Sequence, residues 1–193
     1  IEAASGRIAI TNNRVIASDA AIKIIFSNDS IMHPGLDLRF NQDEARLDLI
    51  RDGEGLSAAP YLNTYHDLEM DFQVLKWNTD EDLISFGTMP GNTATPATFE
   101  SADFYSDQRF DLMMGIDAVH PLIRIRDFMR NQGFENDFLI EDFVNASRLP
   151  VDQANRFLIW MSAEGFLIYN ATTGEVKVKD RVYRYLAAKA KKK

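Results

Sequence analysis

Through roughly the first half of the chain, apolar and polar side chains alternate in short runs, the period of a strand with one buried face. Ile22, Ile24 and Phe26 share a face, as do Leu36, Leu38 and Phe40, then Leu47 and Leu49, then Leu68, Met70, Phe72 and Val74. Turn formers separate these runs at Ser27-Asn28-Asp29-Ser30, Asn41-Gln42-Asp43 and Arg51-Asp52-Gly53-Glu54-Gly55. Two earlier runs, Arg7-Ile8-Ala9-Ile10-Thr11 and Arg14-Val15-Ile16-Ala17, extend the series backwards across Asn12-Asn13. The spacing predicts consecutive antiparallel strands or stacked solenoid rungs. An antiparallel sandwich, a one-sided sheet and a β-solenoid all produce it, because alternation reports which side chains are buried and not what lies opposite them.

Residues 87–118 break the pattern. Gly87-Thr88-Met89-Pro90-Gly91-Asn92-Thr93 predicts a long loop, and the irregular apolar series from Phe99 to Met114 predicts a short helix across the β-layer, gluing two parts together. From His120 the period becomes 3.6. Pro121 suits a first helical position, Leu122, Ile125, Phe128 and Met129 share a face, and Gly133 suits a C-terminal cap. A second helix is expected from an N-cap at Asp137, with Ile140, Phe143 and Val144 inward, ending before Pro150. A third carries Ala154, Phe157, Leu158 and Met161 to Gly165. A hairpin at 166–179 and a last helix capped by Asp180, with Val182, Tyr183 and Leu186 inward, complete the series. Helix, helix, helix, hairpin is the order of a winged helix. The fold class read here is α+β, with a β-rich segment over 1–98, an aromatic-rich connection over 99–118 and a winged-helix-like domain over 119–193. Leu122, Ile125, Phe128, Phe143, Phe157, Leu158 and Phe166 are expected to be buried together.

Charge divides along the same line. Residues 1–118 hold 8 Lys/Arg against 20 Asp/Glu, and residues 119–193 hold 13 against 9, within a total of -8. The acidic first part repels polyanions, so any nucleic-acid contact must come from the second. With 46% hydrophobic and 26% charged residues the 193-residue chain has ordinary globular composition. It holds no cysteine, which removes disulfides, thiol nucleophiles and thiolate metal sites together. No apolar run reaches the ~18 residues of a membrane-spanning helix, and the N-terminus lacks a signal-peptide pattern. The start at Ile1 suggests a processed product or a piece of something longer, in which case the first strand has an unpaired edge.

Candidate chemistry is sparse. In DNA-binding winged helices the third helix enters the major groove, and here its exposed face offers Asp152, Gln153, Asn155 and Arg156. The wing adds Lys177 and Lys179, and the tail adds Arg181, Arg184, Lys189, Lys191, Lys192 and Lys193. Gln153, Asn155, Arg156, Lys177 and Lys179 are therefore the candidate nucleic-acid contacts. One arginine beside an aspartate is a poor footprint, so nucleic acid is disfavoured as a partner. Asp67, Glu69 and Asp71 would line one face of a strand and invite a metal, but alternation alone makes that face polar, and no calcium loop accompanies it. His33, His66 and His120 are far apart, and His33 and His120, each before a proline, are expected in turns. Asp43-Glu44 and Glu81-Asp82 fall in predicted turns. No nucleophile elbow or glycine-rich phosphate loop occurs, so the reading assigns no catalytic residue, metal or cofactor.

Ile31 to Leu38, Pro60 to Leu68 and Phe99 to Ser106, with His120-Pro121-Leu122 and Leu149-Pro150-Val151, resemble segments of very long uncharacterised proteins of Bacteroidetes-type Gram-negative bacteria. The resemblance covers most of the chain. It implies an internal piece of a large protein and points to the cell envelope or periplasm; it carries over no site residue. The function expected is a non-enzymatic structural or protein-interaction segment, its partners being other protein segments or the rest of a larger chain. The alternatives are a nucleic-acid-binding regulator using the winged helix, and a β-groove that holds a lipid or other ligand.

Overall fold

The computed structural model describes residues 1–89, 96–114 and 119–191. Among them the chain is mixed α and β, a curled antiparallel sheet followed by five helices and a second, three-stranded sheet. The spine is a hairpin of two 13-residue strands, β3 (Arg14–Phe26) and β4 (Asp29–Asn41). Strands β1 (Glu2–Ala4) and β2 (Arg7–Ile10) line the outer side of β3. Beyond β4 the sheet forks. The C-terminal half of β4 pairs with β5 (Arg46–Ile50), then β8 (Val74–Asn78) and β9 (Ile84–Gly87). The N-terminal half pairs with β6 (Tyr61–Asn63), then β7 (Leu68–Asp71) and β10 (Thr98–Ser101).

Two bulges bend this hairpin. Its register slips between Ala17 and Ala20, where Asp19 takes a φ of 50°, and again between Ala20 and Ile22, where Pro34 and Gly35 lie in β4 opposite Ala21. The turn expected at His33-Pro34 is thus a bulge inside a strand, which takes the residue without an N–H out of the ladder and sharpens the bend. Gly35 permits the 3-10 turn at Gly55–Ala58 to close over the bulge, since a Cβ there would lie 2.9 Å from the Leu56 Cβ. The bent sheet curls into a half-barrel, neither a sandwich nor a stack of rungs. On its inner face Phe26 at the hairpin tip meets Trp77, and ring contacts run from Tyr61 to Phe72 (4.2 Å), Phe72 to Phe86 (4.6 Å) and Phe86 to Phe99 (6.4 Å). Ile22, Ile24, Leu36, Leu38, Leu47, Leu49, Met70 and Leu75 fill the rest of that face.

The second core belongs to the C-terminal part. Helix α1 (Asp107–Met114) sends Phe110 and Met113 into it, rather than across the β-layer. Helix α2 (Pro121–Gln132) buries Leu122, Ile125, Phe128 and Met129 and ends at Gly133 with φ 72°, as its sequence predicts. The second helix does not start at Asp137. Asp137–Leu139 is strand β11, and α3 (Ile140–Ser147) follows, the Asp142 carboxylate accepting the Leu139 N–H at 3.1 Å. Helix α4 (Val151–Ala163), strands β12 (Leu167–Tyr169) and β13 (Glu175–Val178), and helix α5 (Arg181–Lys191) complete the unit. Its sheet order is β11-β13-β12. Phe157 is only half-buried at the rim, stacked on Phe143 at 5.5 Å, while Ala154, Leu158, Met161 and Ser162 are the inward face of α4. Helix α5 buries Arg181, Val182 and Tyr185, leaving Tyr183 and Leu186 at the edge. Pro90 to Thr93, in the predicted loop, and Lys192 and Lys193 lie outside the described residues.

Both His-Pro pairs serve as backbone pins. His33 Nε2 lies 2.7 Å from the Ala59 carbonyl and its Nδ1 accepts the Gly35 N–H at 3.1 Å. His120 Nε2 lies 2.9 Å from the Phe110 carbonyl and its Nδ1 accepts the Leu122 N–H at 3.2 Å. In each case the ring captures the N–H two residues on, just past the proline, and its other nitrogen donates to a distant carbonyl. That pattern requires the neutral tautomer protonated at Nε2. Burial holds His33 down to about 3 and lowers His120 as well.

Candidate functional site: an ionic seam and the cleft beside it

The outer face of the half-barrel carries the acidic alternation of β7. Glu69 points away from Met70 and the inner core, and directly opposite it across the β10 pairing stands Glu100. Two like charges face to face on neighbouring strands destabilise a sheet unless a cation separates them. Arg181, from the first turn of α5, supplies that cation. Its guanidinium contacts the Glu69 carboxylate through one nitrogen and reaches Glu100 at 2.8 Å through another. Lys179 Nζ takes the other Glu69 oxygen at 3.1 Å. All three of Glu69, Lys179 and Arg181 are buried.

The pairing continues along the strand. Asp67 meets Arg184 at 3.4 Å, Arg184 also contacts Asp103, and Asp71 meets Arg51 at 2.6 Å. Arg109 joins Glu100 at 3.1 Å, and Lys189 joins Asp111 at 2.7 Å. Asp67, Glu69 and Asp71, which in sequence suggest a metal ladder, therefore each face an arginine or lysine. Among the described residues no group of three or more metal-ligating side chains gathers. Burial pushes the Lys179 ammonium down to about 7. Gly165, just past α4, makes room for that carboxylate: it has φ 81°, and a Cβ on it would lie 2.7 Å from Glu69 Oε2.

The five candidate nucleic-acid contacts are not brought to one surface. Gln153 and Arg156 are exposed on the N-terminal half of α4. Asn155 is turned inward and accepts the Tyr169 hydroxyl at 2.5 Å. Lys177 projects from the face of β13 opposite to Val176 and Val178, which pack towards α4. Lys179, expected on the hairpin surface, is buried against Glu69. In the tail Arg181, Arg184 and Lys189 are bound to acids of the first part, while Lys191 is exposed. Neither the part played by Glu100 nor the burial of Arg181 is legible in the sequence. The signal for the seam was present in the opposite charge of the two parts and in the acidic alternation of 67–71.

A cleft of about 650 Å³ separates the outer face of the half-barrel at β1, β3 and β4 from the outer face of the three-stranded sheet. Glu2, Ala4, Ala21, Lys23 and Met32 form one wall, and Asp137, Leu139, Ile168, Glu175 and Lys177 the other. No described helix is long and apolar enough to cross a membrane. Compared with protein-family models, curated proteins and solved structures, the chain matches none.

Proposed function

We propose that this chain is a non-enzymatic structural or protein-interaction segment of a larger protein, in which a winged-helix-like module is fastened to a β half-barrel. The order helix, strand, helix, helix, hairpin, with the first strand beside the last, supports the winged-helix reading. One observation carries the functional one: Lys179, Arg181 and Arg184, cations that a DNA-binding module would turn towards phosphate, are bound to Glu69, Glu100, Asp67 and Asp103 of the same chain. Duplex affinity depends on several such cations at one surface. A lipid-holding groove is less favoured, since the inner face of the half-barrel is filled by its own side chains. The resemblance to very long bacterial proteins agrees with a segment that works inside a larger chain, in the envelope or periplasm.

The test is a salt titration of fluorescence anisotropy with a mixed-sequence duplex and the whole chain. Binding is expected to be weak and to vanish by about 150 mM salt. Sub-micromolar affinity at that salt, reduced by Gln153→Ala with Arg156→Ala, would put the regulator first.

A further inference from the structure

We propose that the cleft between the two sheets is a docking site for an extended partner segment that alternates lysine or arginine with aliphatic side chains. This rests on the interaction-segment reading and names the chemistry of the partner. The cleft, about 650 Å³, is open along its length and falls in the size range of ligand sites. Its walls are two β-sheet faces. Side chains at alternate positions project into it, with Ala4, Ala21 and Met32 on one side and Leu139 and Ile168 on the other. Ala4 and Ala21 are directly paired across β1 and β3, so this wall is low and leaves room for side chains from the occupant. Leu139, at 45% exposure, is a large aliphatic group that its own chain leaves nearly half uncovered.

Charge chooses the occupant. Glu2, Asp137, Asp142 and Glu175 line the cleft against Lys23 and Lys177. Lys23 stands opposite Glu2 across the β1–β3 pairing, and Lys177 opposite Asp137 across β11–β13. Four carboxylates against two lysines leave the lining with an excess of negative charge. A basic side chain between apolar ones meets complementary charge there, whereas an acidic one is repelled. The outer edge of β1 has no strand partner among the described residues, so an extended segment along it would find free backbone groups as well as side-chain contacts.

The probe is a fluorescein-labelled octapeptide of alternating lysine and valine, with a glutamate–valine octapeptide as its counterpart, titrated by anisotropy against the whole chain. The lysine peptide is expected to bind at least about tenfold more tightly than the glutamate one. In the double variant Asp137→Lys with Glu175→Lys that preference should reverse, because the charge of the cleft changes sign; both positions are exposed strand sites, and far-UV circular dichroism of the variant checks that the fold is retained. Leu139→Ser should weaken both peptides, and Arg156→Ala neither. Equal binding of the two peptides, an unchanged preference in the charge-reversed variant, or no binding up to about 1 mM overturns the docking site. If the peptide fails and the duplex also fails to bind, the docking site falls alone; if the duplex binds tightly at physiological salt, the interaction-segment reading falls with it.

Discussion

Glu69→Gln removes one charge from the buried seam while keeping the shape of the side chain. The Glu69 side chain is 5% exposed and Arg181 1% exposed, so solvent cannot replace what the carboxylate supplies. Breaking a buried ion pair from one side typically costs about 3–5 kcal/mol, because the remaining charge stays desolvated and unpaired. Two features place this substitution near the lower end. Arg181 retains Glu100 at 2.8 Å, although that carboxylate is 35% exposed and partly screened. Lys179, already pushed down to about 7 by burial, can release its proton, which arginine cannot do. A loss of about 3 kcal/mol at neutral pH is the expected result. For a two-state urea transition with a slope of ~2–3 kcal/mol/M, the midpoint falls by about 1–1.5 M. The loss should be larger at pH 6, where the parent Lys179 still carries the proton that the variant has to release, than at pH 9, where Lys179 is neutral in both. A midpoint within the equivalent of ~0.5 kcal/mol of the parent, at both pH values, would refute the burial argument. Replacing Glu69, Lys179 and Arg181 together by Leu, Met and Met should recover most of the loss, since desolvation of all three charges is then relieved.

Gly165→Ala should cost about 2–3 kcal/mol, as it combines a φ of 81° with displacement of the Glu69 carboxylate, whereas Gly133→Ala, at φ 72° with open space around the added Cβ, should cost only about 1 kcal/mol; urea midpoints of the two variants give the difference. His33 is neutral in the fold and held to about 3 against an ordinary 6.5, so its contribution is fully present above pH 6.5 and declines as pH falls towards 3. Between pH 8 and pH 5 the parent should lose about 2 kcal/mol that a His33→Gln variant does not lose, and parallel pH profiles for the two would contradict the pin. Leu158→Ala, at a fully buried position of α4, should cost about 2–5 kcal/mol, while Phe157→Ala, at the half-buried rim, should cost less than Leu158→Ala in the same denaturation series.

Periodicity made most of the elements legible. The Leu122, Ile125, Phe128 and Met129 stripe and the Gly133 cap locate α2 closely, because a helix with one buried face and a left-handed cap has few other sequences. The alternation of Leu36, Leu38 and Phe40 likewise places those residues on the inner face. What alternation does not carry is curvature. His33-Pro34-Gly35 reads as a turn when only local chemistry is considered, yet the partner strand bulges at Asp19 a few residues away, and the two irregularities together let β4 run on unbroken. Asp137 fails for a related reason. It is a good N-cap residue by type, but Phe138 gains more by entering the core from a strand beside β13, and Asp142 caps the helix from inside its first turn instead.

The seam was partly legible, and the missing part is instructive. Charge counting separates an acidic first part from a basic second one, which by itself suggests attraction to polyanions as readily as attraction between the two parts. The choice between those depends on burial, and burial depends on the sheet pairing that sets Glu100 against Glu69. Once those carboxylates face each other, the sheet requires a cation between them, and a guanidinium is suited to the place because it bridges two carboxylates with separate nitrogens and cannot lose its charge. Lysine in the same position would bind as a point charge and would yield its proton, as the depressed Lys179 already tends to do. The relative orientation of half-barrel and module thus follows from a like-charge pair inside one sheet, and not from the sum of surface charges. Buried charges of this kind add little net stability against an apolar core, but they penalise every arrangement in which the module is rotated or displaced, since each leaves Glu69 and Glu100 facing one another without Arg181. The seam fixes orientation, and the same fixed orientation holds the two walls of the cleft apart.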